Sequence, residues 1–257
     1  MIRNLLIIAG ASFVLTLGCA AGVAALAGPT LMKEGWTITL DDDDARDRHI
    51  NLQSAETLPT LNRTLAWSGG DLLHVDVPCD VEYVQGPAGK IEVSGPKDLV
   101  EGLKIAGGVI TLDRRSDRES LTVDRMGIRV LSDAERLKIV VTAPGVRKFE
   151  LDGSGDLTIR DFDQPELSVS LSGSGEVSAR GRTTRLVLNS TGSGAARLED
   201  LKTKDAVVAL AGSGEADIAP SGAVKVSISG SGDVNLETEA ASVVAETSGS
   251  GSVRHNY

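Results

Sequence analysis

The tripeptide Gly-Ser-Gly occurs six times in the last 105 residues of this 257-residue chain, beginning at Gly153, Gly173, Gly192, Gly212, Gly230 and Gly249. The intervals are 20, 19, 20, 18 and 19 residues. A near-constant period of that length marks a solenoid, in which each repeat is one coil stacked on the next. No other feature of the chain restricts its fold as strongly.

The flanking residues define the coil. Four and two places before each first glycine stand Phe149 and Leu151, Val169 and Leu171, Leu188 and Ser190, Val208 and Leu210, Val226 and Ile228, and Ala245 and Thr247. Four and six places after it stand Leu157 and Ile159, Val177 and Ala179, Ala196 and Leu198, Ala216 and Ile218, Val234 and Leu236, and Val253 and His255. Apolar residues at every second position, with mostly polar ones between, describe half-buried strands rather than helices. Each coil thus has one strand entering the corner and one leaving it. Two glycines per corner supply backbone angles that a Cβ penalises, and let successive coils approach closely. These features predict an all-β, single-stranded parallel β-helix of 18–20-residue coils. A lone coil cannot offset its own ordering entropy, so the array is stable only when stacked, and its ends are its weak points.

The remaining chain reads as delivery and introduction. Arg3 precedes 29 uncharged residues, within which Leu5 to Leu17 is strongly apolar and Ala25-Leu26-Ala27 offers a cleavage site. Residues 1–32 are therefore expected to be an apolar signal or anchor helix, with three readings open. It is a cleaved signal peptide, a retained membrane anchor over residues 5–32, or a lipid attachment at Cys19. All three place the repeats outside the cytoplasm, at the periplasmic or extracellular side of the cell envelope, because Arg3 favours an inside N-terminus. Residues 33–64, with Asp41-Asp42-Asp43-Asp44, read as a polar acidic linker; the run lacks the spaced ligands and glycine turn of a calcium loop. Trp36 is expected at a membrane interface if the leader stays, and Trp67 at the start of the fold. Residues 65–145 alternate in the manner of strands, with turns expected at Gly86-Pro87, Gly95-Pro96 and Gly107-Gly108. They are expected to introduce or cap the solenoid formed by residues 146–257. Six arginines and six acids between Asp113 and Arg136 describe an exposed face.

The segment from Leu65 to Val253 resembles a known bacterial family of unknown function, the "putative auto-transporter adhesin head GIN domain". The resemblance rests on Asp80-Val81, Tyr83-Val84 and Gly86, on Ile139-Val140-Val141-Thr142-Ala143-Pro144, and on Leu151-Asp152-Gly153-Ser154-Gly155-Asp156 followed by repeated Ser-Gly-Ser-Gly. It implies a parallel β-helix shaped like pectin-lyase-like proteins, no established catalytic residues, and a role in adhesion or envelope surface interaction. The third repeat departs from the pattern at Ala195 and the sixth at Ser252.

Little in the chain points to chemistry. A net charge of −10 opposes nucleic acid as a partner. Cys19 and Cys79 make no disulfide framework. A column of acids follows the corners, at Asp156, Glu176, Glu215 and Asp233; it is read as solvated carboxylates, with cation binding as the alternative. The central serines (Ser154, Ser174, Ser193, Ser213, Ser231, Ser250) have no histidine at a repeat-related position to act as base. His49, His74 and His255 are too scattered for a zinc site or triad. No catalytic residue, metal site or cofactor is expected. The expected function is a non-catalytic exported β-solenoid acting in envelope adhesion or surface interaction, with an envelope protein or glycan as partner. Two alternatives remain open: a polysaccharide lyase or hydrolase, and a structural protein that forms homo-oligomers through its solenoid ends.

Overall fold

The computed structural model describes residues 36–40, 50–54, 59–112, 119–124, 127–132 and 136–257. The expected leader helix over 1–32, Cys19, His49 and the Asp41–Asp44 run lie outside the described residues. Among the described residues no helix is long and apolar enough to cross a membrane. The chain divides into two compact units, residues 1–58 with 118–132, and residues 59–117 with 133–257.

Among the described residues the first unit holds four strands: β1 (Trp36–Leu40), β2 (Ile50–Ser54), β9 (Glu119–Asp124) and β10 (Gly127–Ser132). They form an antiparallel sheet in the order β10-β9-β1-β2. Two of these strands fall in the stretch read as a linker, and two in the stretch read as an exposed charged face.

The second unit is a β-solenoid of about five turns with coils of about 20 residues. It opens with β3 (Thr60–Ala66), β4 (Leu72–Asp76), β5 (Asp80–Gln85) and β6 (Lys90–Pro96), then the short helix α1 (Lys97–Gly102) and the hairpin β7 (Leu103–Ala106) and β8 (Val109–Leu112). The helix starts at Lys97, directly after the Gly95-Pro96 pair, which closes β6 where a turn is expected from the sequence. Gly107-Gly108 is a two-residue turn with φ of +60° and +88°, as tight hairpins require. β11 (Lys138–Ala143) leads to β12 (Lys148–Gly153), β13 (Asp156–Gly173), β14 (Glu176–Gly192) and β15 (Ala195–Gly212). The last turns are β16 (Glu215–Pro220), β17 (Ala223–Gly230), β18 (Asp233–Leu236), β19 (Ser242–Gly249) and β20 (Ser252–His255).

The coils stack in parallel with the expected register. Phe149 pairs with Val169, then Leu188, Val208, Val226 and Ala245, and the six first glycines pair in one line from Gly153 to Gly249. Leu157, Val177, Ala196, Ala216, Val234 and Val253 form the matching line beyond the corner. The inward members of these rows are buried down to Ile228 and Leu236, and Val243 and Val253 of the last coil are only partly covered. Tyr83, Phe149 and Phe162 meet edge to face inside, at 5.0 and 6.2 Å between ring centroids. Tyr83 Oη donates to the Ala143 carbonyl at 2.7 Å, and burial pushes the phenol up to about 12.

The corner stack begins without glycine. β4 pairs with β12 and β5 with β13, which sets Val77-Pro78-Cys79 beneath Gly153-Ser154-Gly155. Val77 and Cys79 are buried, and burial raises the Cys79 thiol to about 12. Higher corners differ. Gly212 has φ +129°, and a Cβ there would strike the carbonyl oxygen of Gly192 below. Each corner is tied to the one beneath it, as where Ser213 N donates to Gly192 O at 2.8 Å.

Candidate functional site

Alternation along each strand sends every second side chain outward, and stacking sorts these into rows. On the side that follows the corner, one row runs Lys138, Asp80, Asp156, Glu176, Ala195, Glu215, Asp233, Ser252. The next runs Glu82, Thr158, Ser178, Arg197, Asp217, Asn235, Arg254. On the side that enters the corner the matching row is charged only at its ends, running Glu150, Ser170, Asn189, Ala209, Ser227, Glu246.

The carboxylates of the acidic column are engaged by the protein's own donors. Asp156 Oδ1 accepts from the Glu176 amide at 3.0 Å. Arg197 bridges Glu176 at 3.2 Å and Asp217 at 2.8 Å, and these acids hold its guanidinium above its ordinary range. Asn235 Nδ2 donates to Glu215 at 2.9 Å and to Asp217 at 2.7 Å. Asp233 accepts from both the amide and the hydroxyl of Ser252, at 3.0 and 2.7 Å, and pairs with Arg254 at 2.9 Å. The Ser252 hydrogen bonds lower its carboxyl below the ordinary value of 3.8. The two departures from the repeat pattern thus have places in the network: Ser252 closes the column with donors, and Ala195 pairs with Glu176 and Glu215 without adding a third acid. Among the described residues no group of three His, Cys, Asp or Glu side chains is arranged to hold a metal.

The central serines are exposed at their corners, and among the described residues none is hydrogen-bonded to a histidine. His74 sits between Glu150 (3.1 Å from Nδ1) and Asp152 (3.0 Å from Nε2) on the other side of the corner. His255 contacts Tyr257 on the last coil.

What the row pattern alone did not reveal is a trough on the charged side. A cleft of about 410 Å³ is lined by residues including Asp80, Glu82, Lys138, Asp156, Arg160 and Glu176, with Thr158 and Ser178 between them. A second cleft of about 240 Å³ continues past Thr158 and Ser178 toward Arg180 and Arg197. Ser178 and Thr158 are small, half-buried and 3.4 Å apart, oxygen to oxygen. Around them stand longer side chains fixed by ion pairs, Arg160 with Glu82 at 3.0 Å and Arg197 with Glu176. The trough exists because two short hydroxyl side chains fall in register inside a ring of long charged ones.

The family described as "Putative auto-transporter adhesin, head GIN domain" matches residues 71–255. Among solved structures, a putative adhesin from Bacteroides fragilis shares 14% identity at a TM-score of 0.58, over 77% of this chain and 98% of that one. A putative adhesin from Parabacteroides merdae shares 16% identity at a TM-score of 0.43, over 76% and 95%. A protein from Parabacteroides distasonis titled a putative lipid binding protein shares 19% at 0.42, over 76% and 96%. No curated protein matches the chain in sequence.

Proposed function

This chain belongs to the auto-transporter adhesin head GIN domain family, and from that premise we propose that it is a non-catalytic, exported adhesion or surface-interaction module of the cell envelope, held at the membrane by residues 5–32 if that leader is retained. The observation that carries this reading is the continuous parallel ladder from β12 to β20, which holds outward side chains in fixed rows over successive coils. A rigid array of that kind loses little entropy when another surface docks on it. The polar network of the charged side supports binding over turnover: its carboxylates are tied to arginine, asparagine and backbone donors instead of flanking an open reacting position.

The test uses the whole chain coupled to beads. Adhesion to envelope fragments of the bacterium that makes it, with no product released from a panel of acidic polysaccharides, is the expected result. Product release, or beads that ignore the envelope, overturns the reading.

One observation favours a second reading, self-association. β19 and β20 pair on one side only among the described residues, and Val244 and Tyr257 stand 57% and 59% exposed on that last coil. A free strand edge of this kind is a template for another chain. Light scattering that reports only monomer at high concentration removes it.

A further inference from the structure

We propose that the trough centred on Thr158 and Ser178 binds a segment of an uncharged, hydroxyl-rich glycan. This rests on the adhesion reading and names the ligand class for it.

The argument starts from size and direction. The two clefts share Thr158, Arg160 and Ser178, and together run across β11, β5, β13, β14 and β15, along the solenoid axis. Four strand spacings make the trough about 20 Å long. That suits a short run of an extended polymer better than a single small molecule.

The lining sets the chemistry. Acceptors (Asp80, Asp156, Glu176) and donors (Lys138, Arg160, Arg180, Arg197) both stand round a floor of two hydroxyls that donate and accept. A sugar ring carries several hydroxyls with the same double capacity, so it can meet both kinds of wall at once. A planar heteroaromatic ligand would need the apolar walls that such pockets normally have, and here the exposed lining is polar. An anionic polymer approaches a chain of net charge −10 against its long-range field. The guanidinium charges that would have drawn it in are already balanced, Arg160 by Glu82, Arg180 by Asp200 and Arg197 by Glu176 and Asp217, while a guanidinium's five N–H groups leave donors over for a neutral hydroxyl. The donors and acceptors are also held in place before any ligand arrives, since their ion pairs tie one coil to the next, which reduces the ordering cost of binding.

The experiment titrates the whole chain with linear neutral hexasaccharides, cellohexaose, maltohexaose and laminarihexaose, following amide chemical shifts, with oligogalacturonate as the anionic comparison. The expected result is saturable binding of at least one neutral hexasaccharide, with shifts centred on residues 156–160 and 176–180, and at least tenfold weaker binding of oligogalacturonate. Ser178→Lys, which fills the floor, should weaken binding at least tenfold at an unchanged melting temperature. Ser227→Lys, on the side that enters the corner, should leave it unchanged. Should Ser178→Lys fail to fold, Asp156→Asn removes an acceptor charge while keeping the oxygen that the Glu176 amide needs, and should weaken binding severalfold. Failure of every neutral hexasaccharide to bind, preference for oligogalacturonate, or indifference to both trough variants overturns the proposal. If beads still adhere to envelope fragments in that case, the adhesion reading stands and only the glycan assignment falls; if adhesion is absent too, both fall.

Discussion

The solenoid turns the same corner in two ways. Val77-Pro78-Cys79 makes it with two buried side chains and no glycine, whereas the six corners above make it with Gly-Ser-Gly. The difference separates two roles of the glycines. A Cβ at Gly153 would have the wrong backbone angle, φ +96°, but nothing within 4 Å to strike. At Gly212 the angle is equally unfavourable and the carbonyl of Gly192 also occupies the space. Glycine is thus required once for the shape of the turn and a second time for the closeness of the corner beneath.

That contrast can be broken most severely at Gly212. Gly212→Ala combines backbone strain with overpacking, and should cost about 3–5 kcal/mol by urea denaturation; a loss under about 1 kcal/mol would show that the stack relaxes freely. Replacing Val77-Pro78-Cys79 by Gly-Ser-Gly removes two buried side chains, so it should destabilise by about 2–4 kcal/mol although it extends the repeat. An accompanying check is the thiol: Cys79 should resist alkylation at pH 8 in the folded chain and react on unfolding, because burial holds it near 12. Gly153→Ala, which meets strain alone, should cost about 1–3 kcal/mol, below Gly212→Ala in the same assay.

The mildest prediction concerns charge. Asp233 titrates below 3.8 because Ser252 and Arg254 stabilise its carboxylate. A carboxyl whose folded value is depressed adds stability above its unfolded value and loses it as pH falls through the folded one. Ser252→Ala should therefore raise the Asp233 midpoint seen by NMR and shrink that acid-sensitive contribution. An unmoved midpoint would mean the hydroxyl contributes nothing.

The corner glycines were legible because one conformational requirement recurs at one period, and the alternation of Leu151, Leu171 and Leu210 or of Val177 and Val234 named the inner rows directly. Helix α1 was not legible: six residues carry too short a pattern to compete with the Gly95-Pro96 signal before them. Strands β1 and β2 lay in a stretch whose acids and arginines suggested a linker, and β9, the partner of β1 on its other side, is some 80 residues later in a run equally rich in charge. The acidic column was visible as a list of residues, but its neutralisation was not, since Arg197 reaches Glu176 and Asp217 on neighbouring coils. The trough was hidden for the same reason. Lys138, Glu82, Arg160 and Ser178 come from four strands that no local pattern joins.

The ion pairs between coils have an arithmetic of their own. Glu166, Arg185 and Asp205 succeed one another in register with alternating sign, and Arg197 pairs in register with Asp217 on one neighbouring coil and diagonally with Glu176 on the other. Lengthening such a protein by copying a single winding would set arginine against arginine, where like charges directly opposite are unfavourable. Copying windings two at a time would preserve the alternation. At these two places, then, the solenoid would accept added windings in pairs more readily than singly, whereas the row of Asp80, Asp156 and Glu176 follows no such alternation.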